Sequence, residues 1–255
     1  WCTTRQEGLF GEPADTVSDA RLRPDGFRER GDRVTRLETF VDAAFAFAVS
    51  MLVISVGDVP ETIAELKEAL KLIPAFAASF ALIMVFWRGH DEWSRRYGID
   101  DAYSSNLSVL LVFLVLIFVY PLRMIFSGFF AWISGGFFPS EVRLASLSDV
   151  RWYFGSFAVA MAGMGLIMLL LTRHAARQAD ILALTPIERV ITSASLWAWT
   201  AVVLVSCLSV LVCLVLPVGI SPIFAAAPGL VYFLLNIVQW WLRHWVNQQR
   251  RRIAE

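Results

Sequence analysis

Long apolar runs alternate with short polar segments along the chain, and this pattern predicts membrane-spanning helices. The six apolar runs cover residues 38–56, 72–87, 106–130, 152–172, 190–216 and 223–241. Each is close to the roughly 20 residues that an α-helix needs to cross a bilayer. Pro121 falls inside the third run, where we expect it to kink or end the helix. The pattern therefore predicts an all-α integral membrane protein with six transmembrane helices per subunit.

The polar segments divide the chain into three parts. Residues 1–35 are rich in Arg, Asp, Glu, Gly and Pro without apolar periodicity, which predicts a disordered tail. Residues 36–245 form the predicted six-helix transmembrane domain, and residues 246–255 form a basic tail. Between the first two spans, residues 61–71 alternate charged residues with Leu and Ile at helical spacing. This piece is predicted to be a short amphipathic helix on the membrane surface.

Composition supports the membrane class and excludes several others. Hydrophobic residues make up 57% of the 255 residues and charged residues 17%, and the mean hydropathy is +0.61. Soluble domains contain about 45–50% apolar and about 25% charged residues. The formal net charge of zero gives no basic excess for nucleic acid. Three cysteines without a C-x-x-C pair, and three dispersed histidines, predict neither a disulfide framework nor a metal site.

The distribution of arginine and lysine predicts the orientation. Seventeen of the 22 basic residues lie in the N-terminal tail, the second–third loop, the fourth–fifth loop and the C-terminal tail. Cytoplasmic loops of membrane proteins carry the excess of Lys and Arg, so both termini are predicted to be cytoplasmic. An even number of spans agrees with this. We expect a multi-pass protein of the plasma membrane.

The first span contains residues that a membrane helix in contact with lipid alone does not need. Asp42 lies just inside the apolar run, where an ionisable residue is costly and indicates a functional site. An interfacial capping role for this acid stays open. Phe47, Met51, Ile54 and Asp58 follow at spacings of 4, 3 and 4, which places them on one face of a helix. The small residues Ala43, Ala44, Ala46 and Ala48 allow close approach of other helices.

These residues carry a resemblance to a known family. Arg36, Phe40 and Asp42 match, in identity and spacing, the Arg-x-x-x-Phe-Ser-Asp signature in the first helix of the transmembrane protein 175 family of potassium channels. Trp87 and His90 are similar to that family's Trp-x-x-His motif at the end of the second span. The resemblance continues through Asn106 and covers about residues 36 to 125. The last three spans agree only in number and hydropathy.

The resemblance implies an architecture and a set of site residues. Family members are tetramers of six-span subunits, with four first helices around a central pore and a hydrophobic constriction. The constricting positions correspond to Phe47, Met51 and Ile54, and the pore hydroxyl position to Ser50. The resemblance also implies an inter-helix polar network made by Arg36, Asp42, Trp87, His90 and Asn106. The expected permeant ion is K⁺, no cofactor is expected, and the expected partners are identical subunits and the lipid bilayer.

This chain departs from the family pattern at three positions. Val41 replaces the signature serine, and Phe47 and Met51 stand where Ile and Leu are usual. The Phe47 rings predict a narrower bore than the usual Ile. Asp58 is predicted either to form an acidic ring at the outer mouth, which favours cations, or to be a solvated carboxylate at a helix end.

Other functional classes fit the sequence less well. An enzyme needs a nucleophile or metal group with an orienting partner, and the spans offer neither, so we expect a protein that is not an enzyme. A secondary transporter needs mid-membrane charges or paired broken helices, and Asp42 lies near one end of its span. A passive channel is favoured. A proton-conducting or other ion pathway and a non-conducting membrane assembly protein stay open as alternatives.

Overall fold

The structure, a computed structural model, is helical over the residues that it describes, which are 22–31, 34–54, 59–142, 146–215 and 226–254. The long helices are α1 (Arg36–Ile54), α3 (Ile73–Tyr97), α4 (Ala102–Ile133), α5 (Leu147–Arg177), α6 (Pro186–Val215) and α8 (Leu234–Ala254). The short helices are α2 (Ile63–Leu70) and α7 (Ala227–Leu230), and the 3₁₀ turn Val231–Phe233 joins α7 to α8.

Five of these helices, α1 and α3 to α6, are long and apolar enough to cross a membrane. This confirms the all-helical membrane class. The sixth predicted span, 223–241, differs from the other five. Its described part is interrupted by the turn Val231–Phe233, and α8 then continues to Ala254 through a polar, basic stretch. Residues 246–254 of the predicted basic tail are helical, because they continue α8 to Ala254.

Two other boundaries differ from the sequence prediction. The second span was predicted to end at Trp87, but α3 continues to Tyr97 because Trp93, Ser94 and Tyr97 bury one face of its polar end. Gly98 then ends the helix in the left-handed conformation (φ 58°), with its N–H donated to the Ser94 carbonyl at 2.8 Å. Glycine adopts this conformation without the steric penalty that a side chain brings.

Pro121 does not end the third span, since α4 runs unbroken for 32 residues. Proline removes one backbone N–H from the helical ladder, and neighbouring helices in a membrane bundle tolerate this loss by packing against the affected turns. Here Tyr153 of α5 donates its hydroxyl to the Met124 carbonyl at 2.7 Å, one turn beyond the proline. The proline leaves the Ile117 carbonyl without its helical N–H, so the Tyr153 bond fastens α5 to the turn beyond the proline and does not replace the missing bond.

Four helices begin with reciprocal caps, in which a side chain and a backbone N–H three residues apart satisfy each other. These pairs fix the start of each helix by bonding N–H groups that have no partner within the helix. They are Thr35 with Glu38 (α1), Asp101 with Ser104 (α4), Ser146 with Asp149 (α5) and Thr185 with Glu188 (α6).

The predicted disorder of residues 1–35 is wrong for residues 22–31, which we call the strap. Phe27 is fully buried there, and its ring meets the Tyr97 ring edge-on at 5.5 Å. The backbone N–H groups of Arg30 and Gly31 both donate to the Arg95 carbonyl at 3.0 Å, at the end of α3. The polar composition of the strap gives no sign of this packing, because it depends on partners far away in the chain. Residues 1–21 lie outside the described residues.

Candidate pore-lining helix

Helix α1 has one covered face and one uncovered face. Its covered face packs against α3 and α4 through four buried residues at helical spacing, Val41, Phe45, Ala48 and Leu52. On the opposite side, Phe40, Phe47 and Ile54 follow one another at intervals of seven and are 52%, 57% and 75% exposed. A single subunit therefore covers only one side of this apolar helix.

Three predicted constriction residues belong to the uncovered side. Phe47 and Ile54 are exposed and Met51 is half-buried at its edge, so the predicted stripe faces away from the body of the subunit. Ser50 is also exposed, and its hydroxyl donates to the Ala46 carbonyl at 3.0 Å. Asp58, the predicted outer-mouth acid, lies outside the described residues.

Asp42 is bound to the second membrane-spanning helix. The indole Nε1–H of Trp87, on α3, donates to Asp42 Oδ1 at 2.8 Å. The carboxylate thus has a donor at the edge of the α1–α3 contact. Both residues belong to the motifs that carry the family resemblance, and the structure joins them across 45 positions of sequence.

His90 is buried, but its partner is a hydroxyl on α4 rather than the Asp42 carboxylate. His90 Nε2 lies 2.8 Å from Ser108 Oγ, and the Ser108 hydroxyl lies 2.9 Å from the Ser104 carbonyl. Because the serine has one hydrogen, a bond to Ser104 leaves its oxygen to accept the Nε2–H of His90. Within the network that the family resemblance implies, His90 therefore forms no direct hydrogen bond with Asp42.

The remaining members of the predicted network do not join it within the described part of the chain. Arg36 and Asn106 are both exposed, and neither side chain forms a hydrogen bond or ion pair with a described residue. The predicted network is thus reduced to two separate contacts, Trp87 with Asp42 and His90 with Ser108. Arg36 and Asn106 lie at the surface, near the beginnings of α1 and α4.

Two polar contacts between distant segments were missed by reasoning from the sequence. Ser94 on α3 donates its hydroxyl to Glu38, which also caps α1. The strap residue Arg30 binds Glu188 at the start of α6 in bidentate fashion, at 2.9 and 3.1 Å, and Glu188 is fully buried. The only sequence signal was the Thr-x-x-Glu spacing at both helix starts, which predicts caps but not these partners.

Charged side chains of the strap and of α3 surround Phe27. The guanidinium groups of Arg30 and Arg96 lie 5.6 and 5.1 Å from the Phe27 ring centre. Arg96 also donates to Asp25 at 2.8 Å. Burial acts to raise the pKa of Asp25, but the hydrogen bonds from Arg96 and the Phe27 backbone outweigh it, so this pKa is lowered. The strap is therefore held to α3 by charge-assisted hydrogen bonds.

No group of three or more His, Cys, Asp or Glu side chains suited to a metal ion occurs among the residues that the structure describes. The fold and the open face of α1 define a multi-span helical membrane protein with a candidate pore-lining helix. The comparisons with known proteins identify its family.

A sequence model of the family described as "Endosomal/lysosomal potassium channel TMEM175" matches residues 36–121. A protein of Marivirga tractuosa named "Potassium channel" is 32% identical over 224 residues, which cover 84% of this chain and 87% of that protein. The crystal structure of a variant of the potassium channel MtTMEM175, in complex with a nanobody–MBP fusion protein, is similar with a TM-score of 0.73 at 29% identity. The similarity covers 89% of this chain and 99% of that one. This chain belongs to the TMEM175 family of potassium channels, a family of ion channels and not of enzymes.

Proposed function

We propose that four copies of this chain form a potassium-type cation channel whose pore is lined by four α1 helices. The observation that carries the proposal is the uncovered face of α1. One such helix cannot enclose a pore, whereas cyclic symmetry turns the same face of each copy toward a common axis. Homotetrameric assembly also gives the uncovered apolar surface of α1 a partner.

The composition of the uncovered face supports this arrangement. Ala43 and Ala46 are exposed on it, and small side chains let helices approach closely where lipid offers no comparable contact. Ser50 and Asp42 add polar atoms. A face that only met lipid would gain nothing from these small side chains, because lipid packs as well against large aliphatic ones.

In the proposed pore, Phe47, Met51 and Ile54 form the hydrophobic constriction. Apolar side chains provide no oxygen to replace the water around an ion, and narrow apolar segments expel water, so the passage is controlled by its width. Rotation of the exposed Phe47 ring changes that width. Ser50 lies one residue before Met51 and provides the nearest hydroxyl oxygen. Asp58 remains the proposed acid of the outer mouth.

The proposed subunit has six spans with both termini on the cytoplasmic side of the plasma membrane. The sixth span consists of α7, the turn Val231–Phe233 and the apolar first half of α8, and the basic second half of α8 then enters the cytoplasm. Arg251 and Arg252 in its last turn agree with this orientation. Family membership and the names of the two relatives support K⁺ as the permeant ion.

The test is a bilayer recording from the purified full chain, with potassium on one side and sodium on the other. Phe47→Ala is expected to raise the unitary current and to weaken the preference for potassium. Val53→Ala is the matched control, because Val53 is also exposed but lies about 120° away from Phe47 around the helix. The control is expected to conduct as the wild type does.

Each other outcome contradicts a stated part of the proposal. Equal effects at Phe47 and Val53 mean that the stripe is not the constriction. A current that follows only the proton gradient indicates a proton pathway. A tetramer by native mass spectrometry without any current indicates a non-conducting assembly protein, and a stable monomer contradicts the shared pore.

A further inference from the structure

A basic cleft lies away from α1, between the start of α4 and the end of α5. Its volume is about 240 Å³, and it is lined by Tyr103, Leu170, Arg173, His174 and Arg177. The four α5 residues are spaced 3, 1 and 3 apart, so they share one face of that helix. The proposed pore does not use this cleft.

The two arginines of the cleft differ from others at this end of the bundle. Arg30, Arg95, Arg96 and Arg189 each form an ion pair with a carboxylate. Arg173 and Arg177 are exposed, and neither guanidinium is paired with any residue in the described ranges. They lie one helical turn apart, so both can donate to the same anion.

The carboxylate that contacts a lining residue of the cleft is already bound. Asp101 caps α4 by accepting the Ser104 N–H at 2.7 Å, and His174 Nε2 lies 2.6 Å from its other oxygen. Burial acts to raise the pKa of Asp101, but the Ser104 and His174 hydrogen bonds outweigh it and lower the pKa to about 2. Asp101 therefore holds the His174 ring in place, and it forms no ion pair with Arg173 or Arg177.

An apolar track leads from the cleft along both helices. On α4, Tyr103, Leu110 and Ile117 follow at intervals of seven and are all about half exposed. On α5, the exposed Leu166 and Val159 continue the line from Arg173 at the same interval. Residues seven apart lie on the same side of a helix, so exposed apolar side chains run from the basic cleft into the membrane-spanning part.

We propose that this cleft binds the phosphate-bearing headgroup of an anionic phospholipid, with an acyl chain along the track. Guanidinium groups match the oxygens of a phosphate in geometry and charge, and basic pockets at the cytoplasmic ends of membrane helices suit such headgroups. Tyr103 lies at the height of the headgroup, where its ring meets the chain and its hydroxyl meets water. The site requires only that the chain spans a membrane, so it stands apart from the proposed pore.

The experiment uses the full chain in phosphatidylcholine nanodiscs that contain phosphatidylglycerol, and native mass spectrometry counts the phosphatidylglycerol that each subunit retains. The double variant Arg173→Gln/Arg177→Gln is expected to lower the affinity about 30-fold. Arg251→Gln/Arg252→Gln removes the same charge from exposed positions of α8 and is expected to retain the lipid as the wild type does.

A third variant distinguishes lipid binding in the cleft from general attraction of the lipid by surface charge. Leu170→Trp fills the cleft while leaving both arginines, and it is expected to lose the lipid as well. It also covers the case in which the double variant does not fold. Retention by Leu170→Trp, or equal loss in the α8 control, shows attraction by charge alone and overturns the proposal.

Two further results also overturn it. If inorganic phosphate stabilises the detergent-solubilised chain against heat while phosphatidylglycerol is not retained, the cleft is a site for a free anion. If the wild type retains no phosphatidylglycerol, no lipid site exists there. None of these readouts depends on conduction, so failure here leaves the proposed channel function unaffected.

Discussion

Helices α1 and α6 are both apolar membrane-spanning helices, and both are only partly covered within one subunit. In their most apolar stretches, 22% of the residues of α1 and 28% of those of α6 are buried. Their uncovered faces nevertheless differ. That of α6 carries large apolar residues, Trp197, Leu204, Leu208, Leu211 and Leu214. That of α1 mixes Phe47 and Ile54 with small and polar residues, Thr39, Asp42, Ala43, Ala46 and Ser50.

The difference shows that hydropathy alone does not identify what covers a helix in a membrane. Lipid tails are as apolar as leucine, so a face of large aliphatic side chains has little to gain from leaving lipid. Small residues gain contact when another helix approaches, and polar atoms gain when they meet protein or water. On this physical ground α6 is suited to face lipid, and α1 is suited to face other copies of itself or a pore.

The largest expected effect concerns the strap, which joins the start of α1 to the first turn of α6. Arg30→Ala leaves the fully buried Glu188 without its bidentate partner, which is expected to lower the free energy of unfolding by about 3–5 kcal/mol. The measurement is unfolding by denaturing detergent. Arg189→Ala removes the exposed pair with Asp180 and should cost less than about 1 kcal/mol. Equal losses would mean that the strap does not hold the two helices.

The next prediction contrasts the two uncovered faces directly. Ala46→Leu on α1 places a larger side chain where we propose that copies pack, and overpacking costs about 1–3 kcal/mol at each contact. The tetramer is expected to dissociate in native mass spectrometry. Cys207→Leu enlarges an exposed position on α6 and is expected to leave assembly unchanged. If only Cys207→Leu dissociated the tetramer, then α6 and not α1 would make the contacts between copies.

A smaller effect is expected from the contact between Asp42 and Trp87. Trp87→Phe removes the indole N–H that donates to Asp42, and a hydrogen bond to a charged group contributes about 1.5 kcal/mol. The thermal stability of Trp87→Phe, Asp42→Asn and the double variant forms a cycle that isolates this pair. Additive losses in the double variant would show that the two residues are not coupled.

The smallest effect is a pH dependence of the strap. The pKa of Asp25 is lower in the folded chain than its ordinary value of 3.8, so its contribution to stability is present above that value and is lost as the pH falls through the folded pKa. Asp25→Asn is therefore expected to lower the melting temperature slightly at pH 6. The difference from the wild type should shrink toward pH 3, and a constant difference would contradict the assignment to the charged form.

Much of the architecture was predictable because its signals are local. Apolar runs of membrane-spanning length indicate helices whatever surrounds them, and five of these helices have the predicted character. The amphipathic piece 61–71 contains α2, Ile63–Leu70, as its helical spacing predicted. The stripe through Phe47, Met51 and Ile54 also follows from spacing within one helix. The family motifs fall within residues 36–121, the part that the family model matches.

The sequence by itself therefore determined the class of protein, the main helices and the side of α1 that carries Phe47, Met51 and Ile54, since these depend on neighbours within a few turns. Only the tertiary structure decided which distant residues meet. Trp87 reaches Asp42 across 45 positions, Arg30 reaches Glu188 across 158, and His90 is directed to Ser108 instead of a carboxylate. These pairings depend on how whole helices pack, and packing brings together residues whose separation along the chain carries no signal of their contact.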